Sequence, residues 1–166
     1  RRLRHGPFAR YEDLLFCGNP VSTSATVVRR DAVVKVGAFS EDLRYNGAED
    51  YDLWLRLAAA GYRLRYLHEV LGIYRVHGGG ITARAEEHGR NTLNVLATHF
   101  SALERPALWQ RYRYRRRRAA ILRGAIHTLL GQGDRAGARR LVWEAAWQDP
   151  LAWKTWALGV LSVRPG

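Results

Sequence analysis

The most constraining feature of the sequence is a segment with helical periodicity at residues 46–57, which reads NGAEDYDLWLRL. At about 100° per residue, its apolar side chains share one broad face, formed by Tyr51, Leu53, Trp54, Leu57 and Ala58. Asp52 and Arg56 fall on the opposite side, at the i,i+4 spacing of an exposed ion pair. The pattern predicts an amphipathic helix over about residues 48–60, ended by Gly61.

Asp50 departs from this pattern, because it points between Trp54 and Leu57, toward the apolar face. A carboxylate in such a place is unfavourable unless it is hydrogen-bonded, paired with a cation or used in catalysis. At the N-terminus of a helix the dipole favours the ionised form, and a positioned, partly desolvated carboxylate suits a general base. The alternative is a structural role, in which Asp50 accepts hydrogen bonds from free backbone N–H groups of the first turn. The residues alone leave both interpretations open.

Other short motifs precede and follow this helix in a defined order. They read NPVSTSATVVRRD at 19–31, VGAFSEDL at 36–43, GAEDYDLWLR at 47–56, AGYRL at 60–64 and YRVH at 74–77. Over roughly residues 17 to 81, this order resembles the second half of the catalytic domain of family 2 glycosyltransferases. The resemblance implies a GT-A fold and an inverting transfer of a sugar. The donor would be a nucleotide-sugar, and the acceptor would be a hydroxyl of a glycan or of a lipid-linked molecule.

The resemblance also implies roles for particular residues. Asp50 matches the catalytic base of the family's Glu-Asp motif, and Glu49 is its partner. His77 matches a histidine near the end of the catalytic domain that contacts the metal or the donor diphosphate in many GT-A enzymes. A divalent metal, Mn or Mg, is therefore the expected cofactor of the complete enzyme, with His77 as a metal ligand.

Three more residues are candidates for substrate binding. The guanidinium of Arg75 suits the oxygens of a diphosphate, although an exposed strand charge is the alternative. Ser24 belongs to a run of hydroxyl residues at 22–24 that is expected to line the acceptor side, although such hydroxyls usually form only local turn bonds. Trp54, on the Glu-Asp helix, is the third candidate.

The expected fold class is α/β, namely the C-terminal half of a GT-A-type α/β domain followed by an α-helical tail. The acceptor-side half is assigned to residues 1–82, and the basic helical region to residues 83–166. Val- and Thr-rich or alternating patterns predict strands at Thr23–Arg29, Tyr62–Leu67 and Val70–His77. Periodicity and capping residues predict helices at 31–36, 84–101, 106–130, 134–148 and 151–162, with Asp31 and Asp134 as N-caps.

Two features indicate a partial and non-processive enzyme. Glycosyltransferases of this type begin with a nucleotide-binding half that ends in an Asp-x-Asp metal motif, and no such motif precedes Glu49. Because the sequence also starts at Arg1 and contains no methionine, we expect the C-terminal part of a larger enzyme, inactive when isolated. Polymerising members carry a Gln-x-x-Arg-Trp motif, and the nearest match starts at Gln110 and has Tyr114 in place of the tryptophan. We therefore expect the addition of a single sugar.

The net charge of +12 is unevenly distributed. Residues 1–100 contain 14 basic and 11 acidic side chains, or +3, whereas residues 101–166 contain 13 and 4, or +9. Six arginines occupy eight positions at residues 111–118, which is compatible with a solvated helix face or with attraction to an anionic membrane surface. Nucleic acid is an unlikely partner, because no recognition motif accompanies the charge.

Three hypotheses on function remain open at this point. The first is the glycosyltransferase, and the second is a non-catalytic glycosyltransferase-like scaffold with a basic, membrane-surface-binding helical tail. The third is a basic membrane- or nucleic-acid-binding protein whose Glu-Asp helix is coincidental.

Other residues narrow the class of protein further. The single cysteine, Cys17, excludes an internal disulfide framework and a multi-cysteine zinc site. No apolar run reaches the roughly 20 residues of a membrane-spanning helix, and the residues given do not predict a signal peptide. We therefore expect a cytoplasmic protein, in peripheral contact with the inner face of the membrane. Four tryptophans of the helical tail could pack in the core or lie at a membrane interface, and core packing is the favoured interpretation: Trp143, Trp147, Trp153 and Trp156.

Overall fold

The computed structural model describes residues 10–67, 69–70, 72–73 and 85–163. The regular structure of these residues is entirely helical. Seven α-helices follow one another along the chain: α1 (Tyr11–Cys17), α2 (Arg30–Lys35), α3 (Glu49–Ala59), α4 (Ala85–Ser101), α5 (Leu108–Gly131), α6 (Arg135–Gln148) and α7 (Trp153–Val163). Two 3₁₀ turns, Thr23–Ala25 and Leu43–Tyr45, complete the set.

The predicted α/β fold class is wrong, because no β-strand occurs among the described residues. Within the predicted strand at Thr23–Arg29, the first three residues form a 3₁₀ turn, since the Thr26 hydroxyl donates to the Ser22 carbonyl at 2.6 Å. Local bonds of this kind compete with the bonds of a sheet. Residues 62–67 alternate as a strand would, yet they have no regular secondary structure, and the third predicted strand lies mostly outside the described residues.

Helix α3 occupies the centre of the first half of the structure. It confirms the helix predicted at 48–60, and Gly61 follows it with a φ of 83°. Its predicted apolar face is buried in the core, and burial extends beyond that face to Asp52 and Leu55. Helix α1 packs against α3 through Leu14 and Leu15, both fully buried, and the Tyr51 hydroxyl donates to the Leu14 carbonyl at 2.8 Å. A helix buried over most of its surface is held rigidly by packing.

Helices α4 to α7 pack against one another in chain order and confirm the four helices predicted in the tail. Their shared core consists of aliphatic side chains and includes Leu122, Ile126, Leu129, Ala138, Leu141 and Leu158. Asp134 caps α6 as predicted, because its carboxylate accepts the Gly137 N–H at 2.8 Å. Asp31 does not cap α2, which begins one residue earlier, at Arg30, without a side-chain cap.

Helix α4 belongs to both cores. Leu93 packs into the core of the tail, whereas Val95 and Leu96 pack against α1 and α3. The boundary placed between residues 82 and 83 stays a prediction. No helix in the described ranges is both long enough and apolar enough to cross a membrane.

Candidate functional site

Asp50 lies in the first turn of α3 and is half-buried. Its Oδ2 accepts a hydrogen bond of 2.8 Å from the Thr23 hydroxyl, and its Oδ1 lies 2.6 Å from the backbone N of Tyr51. An ionised carboxylate offers about four lone pairs, so both oxygens keep acceptor capacity for a ligand. The bond from Tyr51 is the kind expected of a structural Asp in a first turn, whereas the bond from Thr23 joins two elements 27 residues apart.

The 3₁₀ turn at Thr23–Ala25 places hydroxyl groups next to this carboxylate. The hydroxyls of Ser22 and Ser24 lie 3.2 Å apart, and both side chains are exposed. Ser24 was the predicted substrate-binding residue of this run, but Thr23 is the residue that contacts Asp50. The arrangement forms an open, hydroxyl-lined surface beside a half-buried carboxylate.

Glu49 precedes Asp50 and begins the helix. One of its carboxylate oxygens, Oε2, is buried and has no hydrogen-bond partner among the described residues. A buried carboxylate oxygen without a donor is unfavourable, so this atom is available to a group that the described residues do not supply.

Trp54 was a candidate for substrate binding, but the structure places it in the core with an exposed fraction of 2%. Its indole N–H is also buried without a partner in the described part of the chain. A substrate contact by Trp54 stays a prediction, and its observed neighbours are core residues.

Arg75 and His77, predicted to bind the diphosphate and the metal, lie outside the described residues. In the part of the chain that the structure describes, no three His, Cys, Asp or Glu side chains converge as metal ligands would. The described residues therefore do not fit a Mn or Mg site by themselves, since such a site normally needs several oxygen ligands.

A buried polar network, which the sequence did not predict, joins α3 to α4 and α1. Asp52, predicted to form an exposed pair with Arg56, has an exposed fraction of only 4%. Its Oδ2 does accept from Arg56 Nε at 2.8 Å, and its Oδ1 also lies 2.9 Å from Nε2 of His99 on α4. The i,i+4 spacing correctly predicted the first contact, whereas no local pattern predicts a partner 47 residues away.

The network continues from His99 to α1. The Tyr11 hydroxyl lies 3.1 Å from His99 Nδ1 and donates to the His99 carbonyl at 3.0 Å. Burial raises the pKa of Tyr11 to about 12. Burial also acts to raise the pKa of Asp52, but hydrogen bonds from His99 and Arg56 outweigh it, and the pKa lies below the ordinary value of 3.8. Asp52 is therefore held ionised.

Arg56 links this network to the loop that leads into α3. Its guanidinium donates to the carbonyl of Val36 and, at 2.6 Å, to that of Ala38. Ala38 has a φ of 56°, a conformation that is unfavourable for a residue with a side chain. Arg56 thus stabilises a tight turn after α2, and the network as a whole fixes α3, from which Asp50 projects, against α1, α2 and α4.

Comparison with known proteins identifies a family for the chain. The sequence model of the family described as "Glycosyl transferase family group 2" matches residues 1–163, which is nearly the whole chain. No curated protein and no solved structure matches the chain significantly.

Proposed function

The chain belongs to glycosyl transferase family group 2, and from that premise we propose that Asp50 is the general base of an inverting sugar transfer. Glycosyl transfer is the activity of the family. The proposed donor is a nucleotide-sugar, and the proposed acceptor is a hydroxyl of a glycan or a lipid-linked molecule, with one sugar added per reaction. The observation that carries the proposal is the half-buried carboxylate of Asp50 beside the hydroxyl-lined turn at Thr23–Ala25.

The proposed reaction is a single displacement at the anomeric carbon. The acceptor oxygen forms a bond to that carbon as the bond to the diphosphate oxygen breaks, so the configuration inverts. Asp50 takes the proton of the attacking hydroxyl, and the nucleoside diphosphate leaves with the electron pair of the broken bond. A positioned base of this kind typically contributes about 10²–10⁴-fold to the rate.

The packing of α3 supports a precisely oriented base. The Thr23 hydroxyl fixes one carboxylate oxygen at 2.8 Å, and Asp50 lies in the first turn of α3. Because the Asp52 network and the surrounding core immobilise α3, the carboxylate does not need to be reoriented when an acceptor binds.

The remaining site residues have supporting roles in this proposal. The partnerless Oε2 of Glu49 and the exposed hydroxyl of Ser24 are suited to accepting or donating a hydrogen bond to the acceptor. Arg75 and His77 would face the diphosphate and the divalent metal, Mn or Mg, which would stabilise the leaving group when bound. The described residues do not fit the metal, so no step is assigned to it.

Replacing Asp50 tests the proposed role. In the complete protein, Asp50→Asn should lower the turnover by about 10²–10⁴-fold, because the amide cannot take the proton, while the affinity for the donor persists. The matched control is Asp31→Asn on α2, since Asp31 is exposed and its pairing with Arg29 is loose, at 3.8 Å. Release of nucleoside diphosphate measures both. Unchanged turnover of Asp50→Asn would rule out the general-base role.

The helical tail favours a second candidate function, a scaffold that binds an anionic membrane surface. The four tail tryptophans do not pack in the core as expected but are exposed at the surface: Trp143 by 71%, Trp147 by 80%, Trp153 by 71% and Trp156 by 44%. A groove of about 660 Å³ between α6 and α7 is lined by Val142, Trp143, Trp156 and Val160. Exposed apolar surface of this kind usually marks an interaction site.

The chemistry of this face fits a lipid interface. Indole rings prefer the boundary between headgroups and acyl chains, and basic side chains beside them attract anionic lipids. Arg139 lines the groove, and the ammonium of Lys154 lies over the ring of Trp153. Binding through this face would place the chain in peripheral contact with the inner, cytoplasmic side of a membrane.

Vesicle flotation tests this second candidate. Trp143→Ser combined with Trp156→Ser should weaken binding to vesicles of phosphatidylcholine and phosphatidylglycerol by roughly tenfold or more, because apolar area is no longer buried in the bilayer. Val27→Ser changes a fully exposed apolar residue away from α6 and α7, so it is the control and should bind like the wild type. Equal binding of all three proteins would exclude the tryptophan face as the membrane contact.

A further inference from the structure

A second cavity, of about 260 Å³, lies between the C-terminal end of α1 and one face of α5. Phe16 and Cys17 contribute its α1 side. The α5 side is formed mainly by arginines, which recur at helical spacing on the same face: Arg113, Arg116, Arg117 and Arg123. Four cationic groups therefore converge on a space that is smaller than the roughly 300–1,000 Å³ of a typical drug-sized pocket.

The arginines around this cavity are poorly neutralised. Arg116 has the only carboxylate partner seen in the described ranges, Asp149, at the loose distance of 3.7 Å. Arg113 instead donates to the Cys17 sulfur at 3.3 Å, and Arg123 donates to the Thr155 hydroxyl at 3.3 Å. Since like charges at short range repel one another, this arrangement is electrostatically unfavourable without an anion.

Arg117 is held in place by its surroundings, which include the Tyr51 hydroxyl on α3, but it keeps one free donor. Its Nε is buried and has no partner among the described residues. Gly18, just after α1, allows the guanidinium to lie against the backbone, because a Cβ at this position would be 2.6 Å from Nη2 of Arg117. A donor that is buried, oriented and partnerless is prepared for an acceptor from outside the chain.

Partial burial also weakens the hydration of the Arg123 guanidinium. Its partial desolvation lowers the pKa of the guanidinium, although Asp149 nearby acts in the opposite direction. A cation that loses hydration without a direct ion pair gains much from a bound anion. Three of the four arginines, namely Arg113, Arg117 and Arg123, thus lack a close carboxylate. Each of the three is half-buried and lines the same cavity.

We propose that this cavity binds the phosphate or diphosphate group of a ligand. Guanidinium groups present paired N–H donors that match the oxygens of a phosphate, and a diphosphate offers enough oxygens for several arginines at once. The lining contains no residue of α3, and the proposal does not depend on a catalytic role for Asp50. The phosphate could come from a soluble phosphorylated compound or from the headgroup of an anionic lipid.

Calorimetric titration of the chain with inorganic pyrophosphate at low ionic strength tests the site. We expect one ion bound per chain, and we expect Arg117→Gln and Arg123→Gln each to weaken binding at least about tenfold, because each removes a charge-assisted contact. The control is Arg111→Gln, on the same helix, since Arg111 is exposed and donates to the Pro106 carbonyl outside the cavity. Equal weakening by all three variants would show non-specific attraction and overturn the proposal.

A cavity-filling variant keeps the proposal testable if an arginine variant fails to fold. Ala120 also lines the cavity, and Ala120→Glu places a carboxylate among the guanidiniums without disturbing the helical backbone. This variant should lose pyrophosphate binding and should melt at a higher temperature than the wild type. Undiminished binding by a folded Ala120→Glu chain would overturn the proposal.

Vesicles distinguish the two sources of the phosphate. A lipid source predicts flotation with phosphatidic acid vesicles that pyrophosphate displaces and Arg117→Gln abolishes. A soluble source predicts calorimetric binding of pyrophosphate together with flotation that Arg117→Gln leaves unchanged. If neither pyrophosphate nor phosphatidic acid shows binding that depends on Arg117, the cavity is not a phosphate site.

Discussion

Replacing Asp52 by asparagine should destabilise the fold much more than an exposed ion pair would allow. The Asp52 carboxylate accepts from His99 at 2.9 Å and from Nε of Arg56 at 2.8 Å, and Nη2 of Arg56 completes the ion pair at 2.7 Å. Asparagine keeps one acceptor oxygen but turns the other side of the group into a donor. At least one of the facing donors would then lose its acceptor in a buried setting.

The expected magnitude follows from the burial of both partners. Removing one member of a fully buried pair costs about 3–5 kcal/mol. The side chain of Arg56 is 26% exposed and can be hydrated in the variant, which reduces the loss. We therefore expect Asp52→Asn to lower the free energy of unfolding by about 2–3 kcal/mol, against about 0–0.5 kcal/mol for an exposed pair.

Urea unfolding followed by circular dichroism measures this difference, with Asp31→Asn as the control. Asp31 and Arg29 form a pair whose side chains are both 73% exposed, so the control should change little. Because the pKa of Asp52 is lower in the folded state, its contribution is present above pH 3.8 and is lost as the pH falls through the folded pKa. The difference in the free energy of unfolding between the wild type and Asp52→Asn should therefore become smaller in acid. Equal stability of Asp52→Asn and Asp31→Asn at pH 7 would refute the buried network.

Three further predictions concern other parts of the chain. Asp134→Ala removes the N-cap of α6 and should lower the free energy of unfolding by about 1 kcal/mol in the same urea assay, whereas an unchanged value would contradict the cap. Because burial raises the pKa of Tyr11 from 10.0 to about 12, the stability that it contributes should be lost as the pH rises through this range. Tyr11→Phe should flatten that part of the pH–stability curve, and an identical curve would contradict the burial effect. Calorimetry of the 166-residue chain with Mn²⁺ and a nucleotide-sugar should show no binding in the micromolar range, because no Asp-x-Asp motif precedes Glu49 and His77 is the only predicted metal ligand. Tight, metal-dependent binding would contradict this.

The helices of the chain could be predicted from sequence because their signals are local. Spacing of apolar residues and caps such as Asp134 depend only on neighbours within a few positions, and α3 to α7 lie close to the predicted ranges. The strand predictions at residues 23–29 and 62–67 were wrong, because a strand does not depend on local signals alone. Alternation at residues 62–67 describes a segment with two unlike faces, but a strand also requires a partner strand, which no local pattern supplies.

In the candidate site too, some features depend on neighbouring residues and others depend on residues far away in the sequence. The position of Asp50 in the first turn of α3 follows from local sequence, whereas its contact with Thr23 joins residues that are far apart. Likewise, sequence identifies Trp143 and Trp156 as large apolar residues but does not reveal whether a neighbouring element covers them. The burial of Asp52 depends on His99, whose role no local spacing indicates.

The most direct test of the central claim is a structure of the protein with a nucleoside diphosphate and an acceptor bound. The decisive quantity is the distance from the acceptor hydroxyl oxygen to the nearest carboxylate oxygen of Asp50. We predict about 2.6–3.2 Å, the range over which a base can accept a proton. An acceptor hydroxyl that lies beyond the reach of Asp50, even through one bridging water, and against another carboxylate instead would contradict the assignment of Asp50 as the base.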